Sequence, residues 1–397
     1  MFDFQNIYRS VESSASSFIE GFTDAFMGEA ETLRDGSELD PVNLPKDLFA
    51  HRSAQTEWWY YTGHAKTESG KRFGYELVFF KRRTDLDKFS IVPVRLLGNP
   101  IYFAHFAITD ISDENFRYSH RKSANRPFEL PALMSEKNYY IRIGDWSVRE
   151  AHGDHILRAS IGNDIVFEAS LRPAKKPLLN GKNKNGVSLK DENQASRYFS
   201  YTRMKMQGEI IIDGTSEHFT GTSWMDREFG TWSATENQKG WDWFSIQLNN
   251  NTEFMFYQLR NSSNGVSPFS SGVYVNDEES DLRFAKDDFV IEPTGYWRSP
   301  KTKTTYPSGW KITVPDLEAE ITVTPILEDQ ELDSRGTTMI VYWEGACTVS
   351  AIINDTVIEG TAYVELVGYD RSHESPNLAY FLVGRSFQFP SVPFIDK

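Results

Sequence analysis

The sequence lacks most of the features that mark a secreted, membrane-spanning or nucleic-acid-binding protein. Cys347 is the one cysteine among 397 residues, so no disulfide forms within the chain and a reducing compartment is favoured. The formal net charge of −14 argues against nucleic acid or an anionic membrane surface as the main partner. No apolar run approaches the roughly 20 residues needed to cross a bilayer. The first residues carry no basic region followed by an apolar core, so we expect a cytoplasmic protein.

The common catalytic signatures are missing as well. There is no Gly-x-Ser-x-Gly elbow, phosphate-binding loop or dinucleotide fingerprint. No histidine or cysteine pair has the spacing of a metal site such as His-Glu-x-x-His. The sequence therefore gives no support to serine-hydrolase or nucleotide chemistry, and we expect neither a cofactor nor a metal.

Aromatic residues are abundant instead. Phe, Trp and Tyr make up 14% of the chain, with ten tryptophans. Rings concentrated in strands form a thick core, or they line a cavity for a large apolar ligand. The amino-acid composition does not distinguish a packed core from a ligand-binding cavity.

Residues 2–26 carry a helical pattern. Apolar side chains recur there every three or four positions, which predicts an amphipathic helix with an acidic polar face. The helix would pack on this protein or a partner, or it would associate with a membrane surface; the sequence leaves both open. A polar linker over residues 35–41 follows it.

One scaffold is used twice along the chain. The run Gly-Thr-Ser-Trp-Met-Asp at residues 221–226 returns as Gly-Thr-Ala-Tyr-Val-Glu at residues 360–365. An aromatic hairpin near residues 57–80 returns near residues 241–259, and this match pairs Trp59 with Trp243. Other echoes follow in the same order, so we infer a duplication.

Short strands with frequent turns predict an all-β fold. Since only a closed barrel removes edge strands and can also enclose a ligand, we expect two tandem antiparallel barrels. The predicted parts are residues 1–44 (helix and linker), 45–235 (N-terminal barrel) and 236–397 (C-terminal barrel). The segment 175–196, rich in Lys, Asn and Gly, is predicted to be an exposed loop.

Four motifs resemble a known family. They are Glu-Trp-Trp-Tyr-Tyr-Thr-Gly at residues 57–63, Trp-Met-Asp-Arg-Glu-Phe-Gly at 224–230, Gly-Trp-Asp-Trp-Phe-Ser at 240–245 and Tyr-Val-Glu-Leu-Val-Gly-Tyr at 363–369. Together they resemble the AttH/carotenoid 1,2-hydratase family, also called hydroxyneurosporene synthases, whose members have two lipocalin-like domains. The resemblance implies that fold and a hydrophobic substrate. Arg227 stands where many relatives have a histidine, which puts chemistry through that histidine in doubt.

Hydration of a prenyl-type double bond needs an acid strong enough to protonate carbon. A buried carboxyl with a raised pKa can supply the proton, and aromatic faces stabilise the resulting cation. Asp226 and Glu228 lie two apart, so they share one face of a strand. We take Asp226 as the candidate acid and Glu228 as the group that tunes it or orients water. The alternative is a structural strand end, because Glu365 occupies the matching position in the second copy.

Glu57 is the third catalytic candidate, with a salt-bridged strand residue as the alternative. Candidate ligand contacts come from the aromatic hairpins and the acid strand: Trp59, Tyr61, His105, Trp224, Trp232, Trp241, Trp243, Gln247 and Tyr257. For His105 and Gln247 a satisfied polar role in a packed core is the competing interpretation.

The hypothesis favoured by the sequence is a cofactor-independent lyase that hydrates a terpenoid or carotenoid-like substrate between the two barrels. A pericyclase or cyclase of a hydrophobic polyene, and a non-catalytic lipocalin-like binder of a hydrophobic ligand, remain as alternatives. The expected partner is a hydrophobic small molecule, with no nucleic acid. Residues 2–26 would provide any membrane or protein contact.

Overall fold

A computed structural model describes residues 39–84, 98–232, 238–261, 263 and 265–370, together with the backbone of 88–89 and 92–93. Over these residues the regular structure is β-sheet, apart from short 3₁₀ turns at Lys46–Leu48 and Pro315–Leu317. The helix predicted over residues 2–26 lies outside the described residues, so its packing and any membrane contact stay predictions.

The strands of the N-terminal half form one large antiparallel sheet, which leaves out only the small β3–β4 ladder. In chain order they are β1 (Thr56–Thr67), β2 (Arg72–Arg82), β3 (Lys88–Phe89), β4 (Val92–Pro93), β5 (Ile101–Asp110), β6 (Asn115–Ser123), β7 (Ala132–Met134), β8 (Tyr140–Ile143), β9 (Trp146–Ala151), β10 (Asp154–Ile161), β11 (Ile165–Pro173), β12 (Leu178–Leu179), β13 (Val187–Leu189), β14 (Ala195–Ile212) and β15 (Thr215–Gly230).

The C-terminal half forms a second antiparallel sheet, with β21 and β22 pairing only with each other. Its strands are β16 (Gln238–Leu248), β17 (Glu253–Asn261), β18 (Ser271–Val275), β19 (Asp281–Ala285), β20 (Val290–Pro293), β21 (Tyr296–Arg298), β22 (Thr305–Pro307), β23 (Trp310–Val314), β24 (Ala319–Pro325), β25 (Glu331–Asp333), β26 (Val341–Ile353) and β27 (Thr356–Val367).

Both sheets curl around their own apolar cores. In the first, strands β5 and β6 at one edge approach β8 and β10 near the other, so the sheet nearly closes. Each sheet encloses a separate cluster of buried aromatic and aliphatic side chains. The predicted all-β class and the two barrel-like domains are confirmed. The predicted boundary at residues 235/236 falls within 233–237, outside the described residues.

The repeat is visible in the strand pairing. Strand β1 lies between β2 and β15, and β16 lies in the same way between β17 and β27. In these pairings Tyr60 is opposite Asp226, and Trp243 is opposite Glu365. The counterpart of Trp243 is therefore Tyr60, and the sequence match with Trp59 was wrong by one residue. Because side chains alternate along a strand, that one-residue error exchanges the two faces.

The barrels meet through the outer faces of these same strands. A third apolar cluster contains side chains from both halves, among them Tyr60, Trp224, Trp243 and Tyr363. The approach is close: a Cβ added at Gly74 of β2 would lie 2.6 Å from the Cβ of Ala346 on β26. Contacts this close leave the interface mostly dry and make it a place where polar groups need partners.

The segment 175–196 is not the exposed loop that its composition predicted. Lys175 is buried and its ammonium lies 2.8 Å from Glu253 of the second barrel. Lys184 pairs with Asp281 at 3.0 Å, again across the two halves. Two lysines of the segment therefore bind carboxylates of the second barrel, and the segment works as a strap between the barrels. Among the described residues, no helix has the length and apolar character to span a bilayer.

Candidate functional site

Asp226 lies buried on the face of β15 that points to the second barrel. Its Oδ1 accepts hydrogen bonds from Ser200 Oγ at 2.6 Å and from Trp224 Nε1 at 2.7 Å, while Oδ2 accepts one from the Tyr198 hydroxyl at 2.5 Å. Burial raises the pKa of Asp226 to about 7, against the lowering effect of these donors, with a further contribution from the charge of Glu228. The carboxyl is thus available as an acid near neutral pH.

Glu228 has a different environment although it shares the face of Asp226. Its Oε1 lies 2.5 Å from Nζ of Lys190, and Ser196 donates a hydrogen bond to the same oxygen. The Lys190 ammonium also lies 4.8 Å from the centre of the Tyr257 ring. Glu228 is thus paired with a cation, whereas Asp226 has neutral donors, so the two neighbouring carboxyls have different electrostatic surroundings.

A cavity of about 790 Å³ reaches this group of residues from the surface. Its walls are the strap and strands β17–β19, and Tyr198 and Met255, both buried, lie at its inner end. The mouth is polar, with Lys182, Glu192 and Asp288, whereas the inner walls are mainly apolar. The volume lies within the range of about 300–1,000 Å³ typical of small-molecule sites. Tyr198 therefore connects Asp226 with a space large enough for a substrate.

Two rows of cross-strand neighbours face each other at the centre of the interface. The first-barrel row is Tyr60, Asp226 and Ser200, and the second-barrel row is Trp243, Glu365 and Glu344. They are linked directly, because the Tyr60 hydroxyl donates to Glu344 Oε1 at 2.6 Å and the rings of Tyr60 and Trp243 lie 5.2 Å apart. Trp243 Nε1 donates to the Tyr198 hydroxyl at 3.2 Å. The acids of the two copies therefore belong to one polar cluster.

Glu365 is the counterpart of Asp226 in this cluster. It is partly buried, and its Oε2 accepts a hydrogen bond from Trp241 Nε1 at 2.8 Å. Burial raises the pKa of Glu365 to about 7, against the Trp241 hydrogen bond, and the charges of Asp226 and Glu228 raise it further. The matching acid of the second copy is thus more than a strand-end residue.

Glu76 extends the cluster to strand β2. The side chain is completely buried, and neither of its oxygens has a hydrogen-bond partner among the described residues. Burial, with the nearby charge of Glu365, holds the pKa of Glu76 well above its usual value. Glu344 is raised in the same direction by burial and by the charges of Glu365 and Glu76. Burial therefore favours the neutral form of both Glu76 and Glu344 in the folded protein.

We expect Glu76→Gln to stabilise the protein at alkaline pH. In the unfolded chain Glu76 ionises above its ordinary pKa, whereas the folded state keeps it protonated, so wild-type stability falls as pH rises through that window. Glutamine has no such titration. At about pH 8.5 the melting temperature should rise by about 2–4 °C, the shift produced by roughly 1 kcal/mol in a protein domain of this size.

Differential scanning fluorimetry between about pH 4.5 and 8.5 measures this effect. The gain should shrink toward the acidic end, where both states are protonated. Glu68→Gln, exposed in the turn between β1 and β2, is the control and should show no such trend. A constant difference at every pH would show that Glu76 is ionised in the fold.

Glu57 and the two rings that share its face lie elsewhere. Alternation along β1 turns them into the first barrel, where Trp59 Nε1 donates to the Leu48 carbonyl at 2.8 Å and Tyr61 bonds His155. Glu57 pairs with Lys81 and Arg227, each at 2.5 Å. Burial alone would raise the pKa of Glu57, but these cations outweigh it and hold the pKa well below its usual value.

The salt-bridge alternative therefore describes Glu57. Its carboxyl does not share a face with Asp226 and is not a proton donor near neutral pH. Trp59 and Tyr61 are core residues of the first barrel, which corrects their placement as ligand contacts. The sequence had established that the three share a face, but it could not say that this face points inward.

The remaining ligand candidates lie at the interface with different surroundings. His105 is buried and bonded to Tyr342 at 2.7 Å, and burial holds the pKa of His105 well below its usual value. Gln247 donates to the carbonyls of Thr202 at 2.7 Å and Ser223 at 3.0 Å, so it fastens the second barrel to the first. Both side chains therefore match the alternative interpretation, in which they are polar residues of a packed core with their hydrogen bonds satisfied. Five aromatic candidates surround the acid cluster: Trp224, Trp232, Trp241, Trp243 and Tyr257.

Sequence reasoning missed Tyr198, Lys190, Glu76 and Glu344. Lys190 was hidden in a segment whose composition suggests solvent exposure, although several lysines there in an acidic chain are a signal for pairing. Tyr198 lies near the start of the long strand β14 and has no motif of its own. In the part of the chain that the structure describes, no group of three or more His, Cys, Asp or Glu side chains is arranged to hold a metal ion.

Comparison with known proteins places this geometry among relatives. A family model described as AttH-like matches residues 36–369. The crystal structure of a putative AttH from Nitrosomonas europaea has a TM-score of 0.73 and 29% identity, with coverage of 84% of this chain and 98% of that chain. A search of the curated proteins finds no match to this chain.

More distant structures share the fold. Kievitone hydratase from Nectria haematococca has a TM-score of 0.64 at 14% identity, covering 86% of this chain and 97% of that chain. A protein called CghA has a TM-score of 0.50 at 10% identity, covering 86% and 97%. At these identities the likeness concerns the two-barrel architecture alone.

Proposed function

This chain belongs to the AttH-like family, and from that premise we propose that it is a lyase that hydrates a prenyl-type carbon–carbon double bond in a hydrophobic, terpenoid-like substrate. The reaction uses side chains of the protein and needs no cofactor. Water adds across the double bond, and the product is a tertiary alcohol.

The observation that carries this proposal is the position of a proton-bearing carboxyl next to a cavity. Asp226 has a pKa of about 7 because it is buried, and its Oδ2 is 2.5 Å from the hydroxyl of Tyr198, which lines the cavity of about 790 Å³. Protonation of an alkene carbon needs an acid of this kind in a site that excludes bulk water.

The hydrogen-bond geometry supports a route for the proton. A phenol oxygen can accept two hydrogen bonds and donate one. The Tyr198 hydroxyl donates to Asp226 Oδ2 when the carboxyl is ionised. When Asp226 is protonated this bond reverses, so that Asp226 and Trp243 Nε1 both donate to the Tyr198 oxygen and the Tyr198 proton is free to point into the cavity. Tyr198 passes this proton to the alkene carbon while Asp226 restores it. Burial and the charge of Asp226 hold the pKa of Tyr198 well above its usual value, so the phenolate does not accumulate.

The shape of the cavity supports a compact amphipathic substrate. Apolar walls at the inner end suit the prenyl group, and the charged mouth suits a polar end that stays near solvent. One structural relative is a kievitone hydratase, so hydration is the activity named for that protein. A substrate as long as a carotenoid would extend beyond the cavity.

The direct test is product analysis. Purified protein is incubated with phenols bearing a 3-methylbut-2-enyl chain and with linear terpene alcohols, in ordinary and heavy-oxygen water. Mass spectrometry should find a tertiary alcohol whose new oxygen comes from the solvent. Tight binding of these compounds without any alcohol would support the alternative of a hydrophobic-ligand binder and would contradict hydration.

Filling the cavity should block the substrate without disturbing the core. Ser271 on β18 lines the cavity and is only partly buried, so we expect Ser271→Trp to place an indole in the substrate space. Binding of a prenylated phenol, measured by calorimetry, should weaken by at least about tenfold, or about 1.4 kcal/mol.

Ser280→Trp is the matched control, since Ser280 is exposed on the turn before β19 and does not line the cavity. Its affinity should equal that of the wild type. Equal affinities for both variants would mean that the ligand binds elsewhere.

A further inference from the structure

We infer that Glu365 is the second catalytic carboxyl: Asp226 and Glu365, one from each copy of the repeat, form a pair in which Glu365 accepts the proton released by the attacking water. This inference rests on the proposed hydration. It also assigns a function to the duplication itself, because neither barrel alone holds both carboxyls.

A closed chain of contacts joins the two carboxyls. On one side Asp226 has Tyr60 as its cross-strand neighbour, and Tyr60 donates to Glu344 at 2.6 Å. Glu344 is in turn the cross-strand neighbour of Glu365. Asp226 and Glu365 are therefore connected by two cross-strand neighbour pairs and by the Tyr60–Glu344 hydrogen bond. All of these residues lie in strands.

The other side of the chain of contacts runs through indoles. Glu365 is opposite Trp243, whose Nε1 donates to Tyr198, and Tyr198 donates to Asp226. Each acid is also capped by one tryptophan N–H, Asp226 by Trp224 and Glu365 by Trp241. The two tryptophans come from different positions of the repeat, since Trp224 lies on the strand of Asp226 and Trp241 on the strand next to Glu365. Each carboxyl nevertheless accepts an indole N–H, which a residue kept only to finish a strand does not require.

Their exposures differ in a way that suits different roles. Asp226 is buried and reaches the cavity only through Tyr198, as suits a proton donor shielded from water. Glu365 is only partly buried, and its neighbour Trp243 donates to the cavity-lining Tyr198. The acids influence each other electrostatically, since the charge of Asp226 raises the pKa of Glu365. Coupled carboxyls of this kind hold one proton between them over an intermediate pH range.

The reaction balances with this pair. The alkene π electrons form a C–H bond with the Tyr198 proton, the Asp226 O–H bond breaks as its proton moves to Tyr198, and a tertiary carbocation and the Asp226 carboxylate remain. A water oxygen then forms the C–O bond with its lone pair. The O–H bond of the resulting oxonium breaks, and its proton binds Glu365. Transfer of that proton from Glu365 to Asp226 restores the starting state, so the sum is alkene plus water to alcohol.

Other groups contribute to the pH behaviour of the pair. Those that face Asp226 or Glu365 from neighbouring elements are Tyr60 and Glu76 of the β1–β2 hairpin, Lys190 of the strap, Tyr198 of β14, Glu228 of β15, Tyr257 of β17, and Tyr342 and Glu344 of β26. Lys190, the cation of this set, pairs with Glu228 at 2.5 Å rather than with Asp226 or Glu365.

The test uses Glu365→Gln in the full chain, with a prenylated phenol in deuterium oxide. Protonation by Asp226 still occurs, so the substrate should take up deuterium through reversible formation of the cation. Alcohol formation should fall by about 10²-fold or more, the usual contribution of a general base. Glu359→Gln, exposed on the same strand, is the control and should match the wild type. Glu365→Asp keeps a carboxyl and should restore part of the rate.

A titration decides the pairing independently of turnover. With isotopically labelled glutamate carboxyls, the NMR signal of Glu365 should titrate at lower pH in Asp226→Asn than in the wild type, because the neighbouring charge is gone. An unchanged titration, or full alcohol formation by Glu365→Gln, would overturn the inference. If the wild type hydrates none of the compounds, the proposed function and the base role fail together, and proton sharing is still decided by the titration.

Discussion

Asp226→Asn is expected to lower the rate of hydration by about 10²–10⁴-fold, the range by which a positioned general acid accelerates a reaction. Asparagine fits the same space and can still accept hydrogen bonds from Ser200 and Trp224, which lie 2.6 and 2.7 Å from Oδ1 of the aspartate. It has no acidic proton to pass to Tyr198. The variant should therefore bind substrate normally while deuterium uptake and alcohol formation both disappear.

The pH dependence of the wild type provides a second measurement. Since Asp226 must be protonated and its pKa is about 7, the rate should fall as pH rises through about 7. Asp213→Asn is the matched control, because Asp213 is exposed at the far turn of the same β14–β15 hairpin. Its rate and pH profile should equal those of the wild type. Hydration that persists in Asp226→Asn would assign the acid to another carboxyl.

Glu57→Gln is expected to cost about 3–5 kcal/mol of unfolding free energy, the usual effect of breaking a buried ion pair. Glu57 is fully buried between Lys81 and Arg227, each 2.5 Å away, so the change leaves two cations without an anion. Chemical denaturation at neutral pH measures the loss. Catalysis per folded molecule should change little, because Glu57 lies inside the first barrel.

The sign of the pH effect is fixed by the lowered pKa of Glu57. Its stabilisation is present above the ordinary carboxyl pKa and is lost as pH falls through the folded value, so wild type and variant should converge only under acid. Glu168→Gln is the control: its pair with Arg158, at 2.7 Å, is exposed, and such pairs contribute about 0–1 kcal/mol. Equal losses in both variants would contradict the buried network.

Much of the architecture follows from local pattern. Alternating aromatic residues, turn residues and the repeat predict two antiparallel barrels, because these patterns depend on neighbours in the chain. The same periodicity correctly puts Asp226 and Glu228 on one face and Arg227 on the other. What failed was the comparison of the copies: Trp59 and Trp243 look alike in sequence, but strand register pairs Trp243 with Tyr60.

The candidate site was less predictable since its members come from distant parts of the chain. Tyr60 and Glu344 are 284 positions apart and yet share a hydrogen bond of 2.6 Å. Lys190 reaches Glu228 because it directly follows β13, which pairs with β14 beside β15. No local signal in the sequence encodes such approaches, and the composition of residues 175–196 argued for solvent exposure.

The sequence by itself determined the strand content, the duplication and which side chains share a face, because each of these follows from the two-residue period of a strand. Only the tertiary structure decided which face points into a barrel and which faces the partner barrel. That choice places Asp226, Glu365, Glu344 and Glu76 in one cluster at the interface, where burial raises the pKa of each carboxyl. It leaves Glu57 ionised between Lys81 and Arg227, since paired charges compensate for their lost hydration.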